Sequence, residues 1–413
     1  MEPNVDLRDG VYVARQPILD AAGQVFGYEL LYRAAAHHTR CEDAGDSCAA
    51  RVLNDAVLTL GLDTLTGGRR AFINLTRQML LDDVAALLPP EGVVIEVVES
   101  VDVDDAVVEA CRRLWADGYA LALDDFTLNS NAEALLPYAR FVKVDVLATS
   151  AEERRSIREA MPSGVRLVAE KVETAEMFEE TRAAGHELFQ GYYFCRPTTV
   201  RSGAMPARRA AYARLLVEVN RPEVHLADME DLIKHDASLS LRILRCINSA
   251  AFGLRRSIRS IREALVLLGV EQVRKWASIW ALAGLNSASS PEVVTTVLLR
   301  ARCCELVAGQ LMPPEAASEY FLLGLCSLLD VMLGQPMAQA VEDLPLAGEL
   351  RGALLGQANA ARSVLDAVVA YERGAWDEAA ERAEAIGLAG DVLRAAYADA
   401  LRWARDLSIL AAA

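Results

Sequence analysis

Short β-rich runs alternate with helical patterns from residue 12 to about residue 195, and this alternation constrains the fold more than any other feature of the sequence. Candidate strands lie near residues 12–16, 25–31, 71–76, 93–98, 119–125, 140–145, 166–172 and 188–194. Eight strands with intervening helices predict an α/β fold, a (β/α)8 TIM-like barrel. The segment "DAAGQ" between the first two strands is too short for a helix, so we expect a hairpin there and one antiparallel strand.

One helical segment shows how the helices of this half are expected to pack. In "DDAVVEACRRLWADG" the apolar residues recur at helical spacing and predict one buried face, formed by Val107, Cys111, Leu114 and Trp115. Gly118 supplies a C-terminal stop for this helix.

The strand pattern ends near residue 200, and Leu- and Ala-rich helical patterns such as "LSLRILRCINSAAFG" follow to the end of the chain. A chain of 413 residues, 53% of them hydrophobic, is too long for one ordinary core. We therefore predict two domains, the barrel over residues 1–200 and an all-α domain over residues 201–413.

Composition narrows the classes of function. The formal net charge of −16 opposes binding to nucleic-acid phosphates, and the basic stretch "FGLRRSIRSIR" is explained more simply as a solvated helix face or a protein contact. No apolar run approaches the roughly 20 residues that cross a bilayer, and the start "MEPNVDLRDG" lacks the features of a signal peptide. The eight cysteines form no C-x-x-C pair and are expected to be reduced and mostly packed. We expect a cytoplasmic protein that binds neither nucleic acid nor membrane.

Polar side chains lie in or just after seven of the predicted strands. In a barrel of this type the carboxyl ends of the strands form the functional face, so these side chains are expected to converge there. A single acidic residue could equally be a satisfied hydrogen-bonding group in the core, but seven strands that each contribute one polar residue are harder to explain in that way. The residues are Glu29, Asn74, Glu96, Asp124, Asp125, Lys143, Asp145, Glu170, Glu173 and Gln190.

The chemistry of this group favours hard divalent cations. Carboxylate and amide oxygens suit Mg²⁺ or Mn²⁺, and the adjacent Asp124 and Asp125 would repel each other without positive charge. Two such ions about 4 Å apart would activate a water and stabilise an in-line phosphoryl displacement. Lys143 could orient that water or hold a phosphate oxygen, and Glu170 or Glu173 could complete the shell of the second ion. We predict metal-dependent phosphodiester hydrolysis, with other esters left open.

Eight motifs in series resemble those of EAL domains, the bacterial cyclic-di-GMP phosphodiesterases. They are "ARQPILD", "GYELLYR", "FINLT", "IEVVES", "LALDDF", "VKVD", "AEKVET" and "FQGYYFCRP". The resemblance implies a two-metal site of Mg²⁺ or Mn²⁺ whose ligands are Glu29, Asn74, Glu96, Asp124 and Asp125. It implies a catalytic lysine at Lys143, a late acidic motif at Glu170 and Glu173, contacts to the dinucleotide from Gln16, Arg33 and Gln190, and a loop anchor at Glu99.

Two departures from the EAL pattern bear on activity. After Asp125 the family normally has a glycine loop that couples dimerisation to metal and substrate binding, whereas this chain has "FTLN" and loses the conformational freedom of two glycines. Lys171 stands where the family usually has glycine, between the two glutamates of the late motif, and its ammonium could fill space or charge meant for a metal or phosphate.

The second half resembles an HDOD domain, an all-helical relative of HD phosphohydrolases that lacks their catalysis. The matching segments are "LIKHDASLSLRILRCINSAAFG", "SIRSIREALVLLGVEQVRKW" and "FLLGLCSLLDVMLG". His235 and Asp236 look like an HD pair, but Asp236 falls where this family has an Asp-Pro turn, with Ala237 replacing the proline. In catalytic HD domains the metal pair would lie in the segment that resembles "GLCSLLDVML", where Ser327 and Leu328 offer no comparable ligands.

Two hypotheses follow from the arrangement as a whole, which resembles EAL-HDOD signalling proteins. The first is a phosphodiesterase that converts cyclic-di-GMP to linear pGpG, with the HDOD domain as a regulatory module that binds a signalling protein. The second is a catalytically silent effector whose barrel binds cyclic-di-GMP or a protein. The complete set of site residues favours the first, with weak or conditional activity. A homodimer stays open, because EAL barrels often pair through the segment that is altered here.

Overall fold

We describe the protein from a computed structural model. It describes residues 11–34, 61–191, 207–221, 225–234, 258, 260–269, 273–274, 277–278, 281, 291–342, 344 and 346–412. The chain divides into two compact units. The first comprises Met1–Phe194 with Tyr371–Ala375, and the second comprises Cys195–Ala370 with Trp376–Ala413. The boundary expected at residue 200 stays a prediction.

The first unit is built on a closed barrel of eight strands in sequence order. β1 pairs antiparallel with both β2 and β8, and every other neighbouring pair is parallel. The predicted TIM-like barrel with one antiparallel strand is confirmed. The strands are β1 (Val11–Asp20), β2 (Val25–Ala34), β3 (Arg70–Leu75), β4 (Val93–Val97), β5 (Ala120–Leu123), β6 (Ala139–Asp145), β7 (Arg166–Glu170) and β8 (Leu188–Phe189).

The hairpin that reverses β1 is fixed by a short side chain. Asp20 Oδ1 accepts hydrogen bonds from the backbone N–H groups of Ala22 and Gln24, both at 2.9 Å. Gly23 takes a left-handed φ of 74° in this turn, which costs a glycine little. An aspartate that bonds the backbone two residues ahead is a local turn signal, so the hairpin follows from the sequence itself.

Short helices cover the barrel between its strands. They are α1 (Leu62–Thr66), α2 (Arg77–Leu81), α3 (Asp105–Ala116), α4 (Ala151–Ala160) and α5 (Ala175–Ala183), with 3-10 turns at Val84–Leu87 and Asn131–Leu135. Side-chain caps begin several of them. The Asp104 side chain accepts from the Val107 N–H at α3, and Ser150 with Glu153 forms a capping box at α4.

The buried face of α3 is narrower than the sequence pattern predicts. Val107, Cys111 and Leu114 are buried, as expected, and Ala110 completes their stripe. Trp115 is 56% exposed, so the prediction that it belongs to the buried face is wrong. It lies at the edge of the stripe, and its ring centroid is 6.2 Å from that of Tyr138. Cys111 is a free thiol, and burial raises its pKa to about 12, consistent with a packing role.

An apolar layer closes the amino-terminal part of the barrel interior. Its members are fully or almost fully buried, and the rings of Phe72 and Phe141 lie 5.3 Å apart between centroids. Side chains alternate along a strand, so the residues two positions further on point into the same interior. The layer is made of Ile18, Phe72, Val94, Ala122, Phe141, Val168 and Leu188.

The second unit is helical in the residues described. The helices are α6 (Ala207–Val219), α7 (Leu226–Lys234), α8 (Ile261–Leu268), α9 (Pro291–Ala308), α10 (Pro314–Cys326), α11 (Leu329–Leu333), α12 (Met337–Ala340), α13 (Gly348–Leu354), α14 (Ala360–Glu372), α15 (Trp376–Ala385) and α16 (Gly390–Ala412). α9 and α10 cross closely at Gly324, where an added Cβ would lie 2.4 Å from the Ala301 Cα. Within the described helices, none has the length and apolar character needed to cross a membrane.

Candidate active site

A ring of polar side chains lies directly above the apolar layer of the barrel. Asn74, Glu96, Asp124, Lys143, Glu170 and Gln190 each stand two residues after a member of that layer, so the alternation of the strands turns them into the same interior. Gln16 stands two residues before Ile18 because β1 runs in the opposite direction, and it pairs in register with Glu29. The period of two that buries the apolar layer therefore also gathers the predicted site residues.

Lys143 lies at the centre of this ring. Its side chain is 1% exposed, and its Nζ lies 2.8 Å from Glu170 Oε1 and 2.9 Å from Asp124 Oδ1. Glu29 Oε2 and Glu96 Oε1 each lie 3.1 Å from the same nitrogen. Four carboxylates from β2, β4, β7 and the end of β5 thus surround one ammonium. Such a cluster is stable only because the buried cation offsets charges that would otherwise repel one another.

Hydrogen bonds fix Glu29 from both sides. Asn74 Nδ2 donates to its Oε1 at 2.9 Å, and Gln190 Nε2 donates to its Oε2 at 2.7 Å. Gln190 Nε2 also lies 2.9 Å from Gln16 Oε1, and Tyr32 donates its hydroxyl proton to the Asn74 carbonyl. The structure thus brings Gln16 and Gln190, which were predicted to contact substrate, into one network with a predicted metal ligand.

Burial and charge act against each other in this cluster. Burial alone would lower the pKa of Lys143, but the four carboxylates outweigh it and raise that pKa well above its usual range. Burial likewise works to raise the pKa of Glu29, yet Lys143 and the hydrogen bonds from Gln190 and Asn74 leave it lowered. Burial raises the pKa of Glu96 well above the usual value and that of Glu170 to about 8, in both cases against the attraction of Lys143. The cluster therefore holds a fixed cation, and burial favours the protonated forms of Glu96 and Glu170 but not of Glu29.

Unsatisfied oxygens give the ring the character of a cation site. Among the described residues, buried oxygens of four ring or loop side chains accept no hydrogen bond: Asn74 Oδ1, both Glu96 carboxylate oxygens, Asp125 Oδ1 and Gln190 Oε1. Glu96 Oε1 is within ion-pair distance of Lys143 but lacks hydrogen-bond geometry. Buried acceptors without donors are costly, and a hard divalent cation would satisfy them. The donor set fits Mg²⁺ or Mn²⁺.

The Lys143 ammonium competes with such an ion for the same oxygens. In the described part of the chain, no three His, Cys, Asp or Glu side chains are arranged to hold a metal ion as they stand. Nζ lies between four of the acidic groups, within 3.1 Å of an oxygen of each.

A second acidic group lies beside the ring, where Asp125, Asp145 and Lys171 meet. Asp125 follows β5 with a left-handed φ of 42°, and burial raises its pKa despite the nearby Lys171. Asp145 ends β6, and its Oδ1 accepts from the N–H groups of Leu147 at 2.7 Å and Ala148 at 3.0 Å. Lys171 Nζ donates to Asp145 Oδ2 and lies 3.8 Å from Asp125 Oδ2.

The "FTLN" loop has defined internal contacts. Asn129 takes a left-handed φ of 63°, its N–H donates to Glu133, and Ser130 Oγ donates to the Thr127 carbonyl at 2.7 Å. Glu99 is exposed and lines a cavity of about 310 Å³ together with Asp125 and Thr127. Its place beside the loop is compatible with the anchoring role predicted for it, and that role stays a prediction.

The other predicted site residues lie on the same barrel. Glu173 is half-buried in the turn between β7 and α5, and Arg33 lies in β2 opposite Tyr12. Asp145 was noted in the sequence without a role, and only its contact with Lys171 reveals one. The signal was available, because Asp145 ends β6 as Glu170 ends β7 and the two pair in register. His235, Asp236 and Ala237 lie outside the described residues.

Comparison with known sequences defines the family. The model of the EAL domain matches residues 6–197, and that of the HDOD domain matches residues 205–344. The chain is 33% identical over 406 residues to the uncharacterized protein YuxH of Bacillus subtilis, covering 96% of this chain and 98% of that protein. It is also 33% identical over 414 residues to cyclic di-GMP phosphodiesterase CdgJ of Vibrio cholerae, covering 99% and 96%. The chain belongs to the EAL-HDOD family.

Solved EAL structures are among the proteins to which this chain is similar. The calcium and cyclic-di-GMP complex of Klebsiella pneumoniae BlrP1 is 25% identical, with a TM-score of 0.38, and covers 46% of this chain and 57% of that one. An EAL domain protein from Listeria monocytogenes is 23% identical, with a TM-score of 0.36, and covers 45% and 88%.

Ser327 and Leu328, the two residues compared with the metal pair of catalytic HD domains, follow α10 directly. Ser327 ends α10, where its Oγ accepts from Arg300 at 3.0 Å and donates to the Gly324 carbonyl at 2.7 Å. Leu328 is 3% exposed and packs in the helical core. Both side chains are thus engaged in helix packing, and the expectation that they hold no metal stays a prediction.

Proposed function

We propose that this EAL-HDOD protein is a phosphodiesterase that hydrolyses cyclic-di-GMP to linear pGpG with the help of divalent cations. The observation that carries the proposal is the polar ring inside the EAL barrel, whose buried acceptor oxygens lack donors. Its relative CdgJ, which is named a cyclic di-GMP phosphodiesterase, is similar over nearly the full length of both chains.

The side chains divide the work by position. We assign a first ion to Glu29, Asn74, Glu96 and Asp124, and a second to Asp124 and Asp125 with Glu170 or Glu173. Bound Mg²⁺ or Mn²⁺ would activate water and stabilise the oxygens of an in-line displacement. The carboxylates keep the pKa of Lys143 high, so its ammonium is a fixed cation. It donates a hydrogen bond to a phosphate oxygen or to the attacking water. Gln16, Arg33 and Gln190 contact the dinucleotide, and Glu99 supports the loop.

Turnover of cyclic-di-GMP in the presence of Mn²⁺ tests this assignment. The purified full chain is incubated with cyclic-di-GMP and Mn²⁺ or Mg²⁺, and linear dinucleotide is measured by chromatography. Glu29→Ala removes a side chain that both Lys143 and Gln190 contact, so we expect product formation to fall at least about 100-fold. Glu91→Ala, at an exposed position before β4, is the matched control and should retain full activity. Product from Glu29→Ala at the wild-type rate would refute the assignment.

A catalytically silent effector is the second candidate, and the two lysines favour it. Lys143 competes with metal for four carboxylates, and Lys171 contacts the acidic pair beside them. An effector would bind cyclic-di-GMP without converting it, at any Mn²⁺ concentration. Equilibrium binding measured beside the turnover assay separates the two functions, because retained binding with no product selects the effector.

The HDOD domain is proposed to bind a signalling protein that controls the barrel. We extend the proposal to a homodimer. We also extend it to a cytoplasmic location, since the proposed substrate is an intracellular bacterial signal. Sedimentation velocity with and without cyclic-di-GMP tests the first extension. A monomer under both conditions would exclude it.

A further inference from the structure

Lys171 has a backbone conformation that its residue type disfavours. Its φ is 55°, in the left-handed region. Among the described residues, the other non-glycine residues with positive φ are Asp83, Asp125 and Asn129, whose short polar side chains tolerate this region better than lysine does. A strained residue beside an active site persists only where the surrounding structure holds it there.

Close packing on one side of Lys171 holds this turn in place. The Val172 N–H donates to the Gln190 carbonyl at 3.0 Å. An added Cβ at Gly191 would lie 2.3 Å from the Val172 carbonyl oxygen, so the chain after β8 presses directly against this turn. Val172 itself is fully buried in a cluster with Phe178 and Phe189. The backbone at residue 172 is therefore fixed, and the left-handed turn directs the Lys171 side chain away from that cluster.

The side chain is directed to the acidic pair beside the ring. Lys171 Nζ donates to Asp145 Oδ2 and lies 3.8 Å from Asp125 Oδ2. Asp145 cannot easily turn away, because its other oxygen accepts two backbone hydrogen bonds. The other oxygen of Asp125, Oδ1, is buried and accepts no hydrogen bond from the described residues. One face of Asp125 thus meets an ammonium, while the other remains available to a cation.

We propose that Lys171 is a positioning residue that supplies, at Asp125 and Asp145, positive charge that a second divalent ion would otherwise supply. This inference rests on the proposed function, since it concerns the second ion of that site. The ammonium repels an incoming ion and holds Asp125, so the site binds its first ion at the Glu29 and Glu96 end and takes up the second only weakly. Catalysis that needs both ions then depends on the concentration of divalent metal.

Metal titration measures this effect without reference to activity. The metal-stripped full chain is titrated with Mn²⁺ by calorimetry, and electron paramagnetic resonance reports whether bound Mn²⁺ ions form a coupled pair. Lys171→Met removes the charge, and Lys171→Gly removes both the charge and the backbone strain. In both variants we expect the second ion to bind on the order of tenfold more tightly, with the first site unchanged. The coupled-pair signal should appear at correspondingly lower Mn²⁺.

Two controls assign the effect to charge at this position. Lys171→Arg keeps the charge and should keep the affinity for the second ion low. If only the structure of the turn mattered, arginine would not restore the wild-type affinity. Lys234→Met removes a lysine that pairs with Glu230 in the helical unit and should leave the titration unchanged. Equal second-ion affinity in wild type, Lys171→Met and Lys171→Gly would overturn the inference and leave the proposed function standing. Absence of Mn²⁺ binding in every variant would overturn both.

Discussion

Replacing Lys143 with methionine removes the cation that four carboxylates share, while keeping a side chain of similar length. Nζ lies within 3.1 Å of oxygens from Glu29, Glu96, Asp124 and Glu170. Removing one partner of a buried ion pair leaves a charge without compensation and typically costs about 3–5 kcal/mol. We expect a loss of this size in the metal-free protein, because the carboxylates then have to take up a proton instead.

The pH dependence of that loss follows from proton uptake. A glutamate titrates near pH 4.3 in the unfolded chain, so protonating one at pH 7 costs about 3.7 kcal/mol, at about 1.36 kcal/mol per pH unit. At pH 5 the same proton costs only about 1 kcal/mol. The folded variant holds this extra proton and the unfolded variant does not, so its deficit relative to wild type should shrink as the pH falls from 7 to 5. Saturating Mn²⁺ should also reduce the deficit, because it binds the same oxygens.

Native-state hydrogen exchange measures this loss in the barrel alone. Peptides that cover β4 and β6 report opening of the EAL domain, and EDTA keeps the protein free of metal. Lys234→Met, which removes a lysine that pairs with Glu230 in the helical unit, is the control and should leave the exchange of these barrel peptides at the wild-type rate. Exchange of Lys143→Met at the wild-type rate at pH 7 would refute the argument, and so would a deficit that stays constant down to pH 5.

Four further substitutions test the packing of the barrel unit by urea unfolding. Burial lowers the pKa of His186 from 6.5 to about 4. As the pH falls below 6.5, the unfolded chain therefore binds a proton that the folded chain does not. The free energy of unfolding of wild type should fall by about 2.7 kcal/mol by pH 4.5, and His186→Gln should lack this part of the loss. Gly191→Ala places a Cβ against Val172 at a φ of 151° and should cost at least about 2 kcal/mol, with altered Mn²⁺ binding. Leu114→Ala should cost about 2–5 kcal/mol, whereas Trp115→Ala should cost less than about 1 kcal/mol, and equal losses would contradict the exposure of Trp115.

The barrel and the location of its site were predictable because both depend on one local rule. Alternation along a strand places Asn74 above Phe72 and Glu96 above Val94, so a sequence that shows buried strands also shows which polar residues share their interior. The family motifs then assign roles to those positions. What the strand pattern does not contain is the order of side chains around the closed barrel. That Lys143 stands between four carboxylates depends on the lengths and tilts of five different side chains, and no spacing in the sequence encodes it.

The prediction for Trp115 failed for a related reason. Val107, Cys111 and Leu114 follow the helical period. Trp115 stands one residue beyond this buried stripe, where the segment that packs beside the helix decides whether it is buried. Here that neighbour is Tyr138, which covers only part of the indole. A helical pattern fixes the centre of a buried face, and its edges are set by whatever packs beside them.

The loop that replaces the glycines after Asp125 still contains a left-handed turn. Left-handed backbone is still present at Asn129, since asparagine adopts it more readily than most residues, and the loop is closed by bonds from Asn129 to Glu133 and from Ser130 to Thr127. The loop therefore keeps a turn of this kind with fewer accessible alternatives. The change at Lys171 is of a different kind, because the lysine adds a charge that the family's usual glycine lacks. We therefore expect that ammonium to weaken binding of a second ion, and the Mn²⁺ titration of the Lys171 variants measures that weakening, while turnover measured beside cyclic-di-GMP binding separates phosphodiesterase from silent effector.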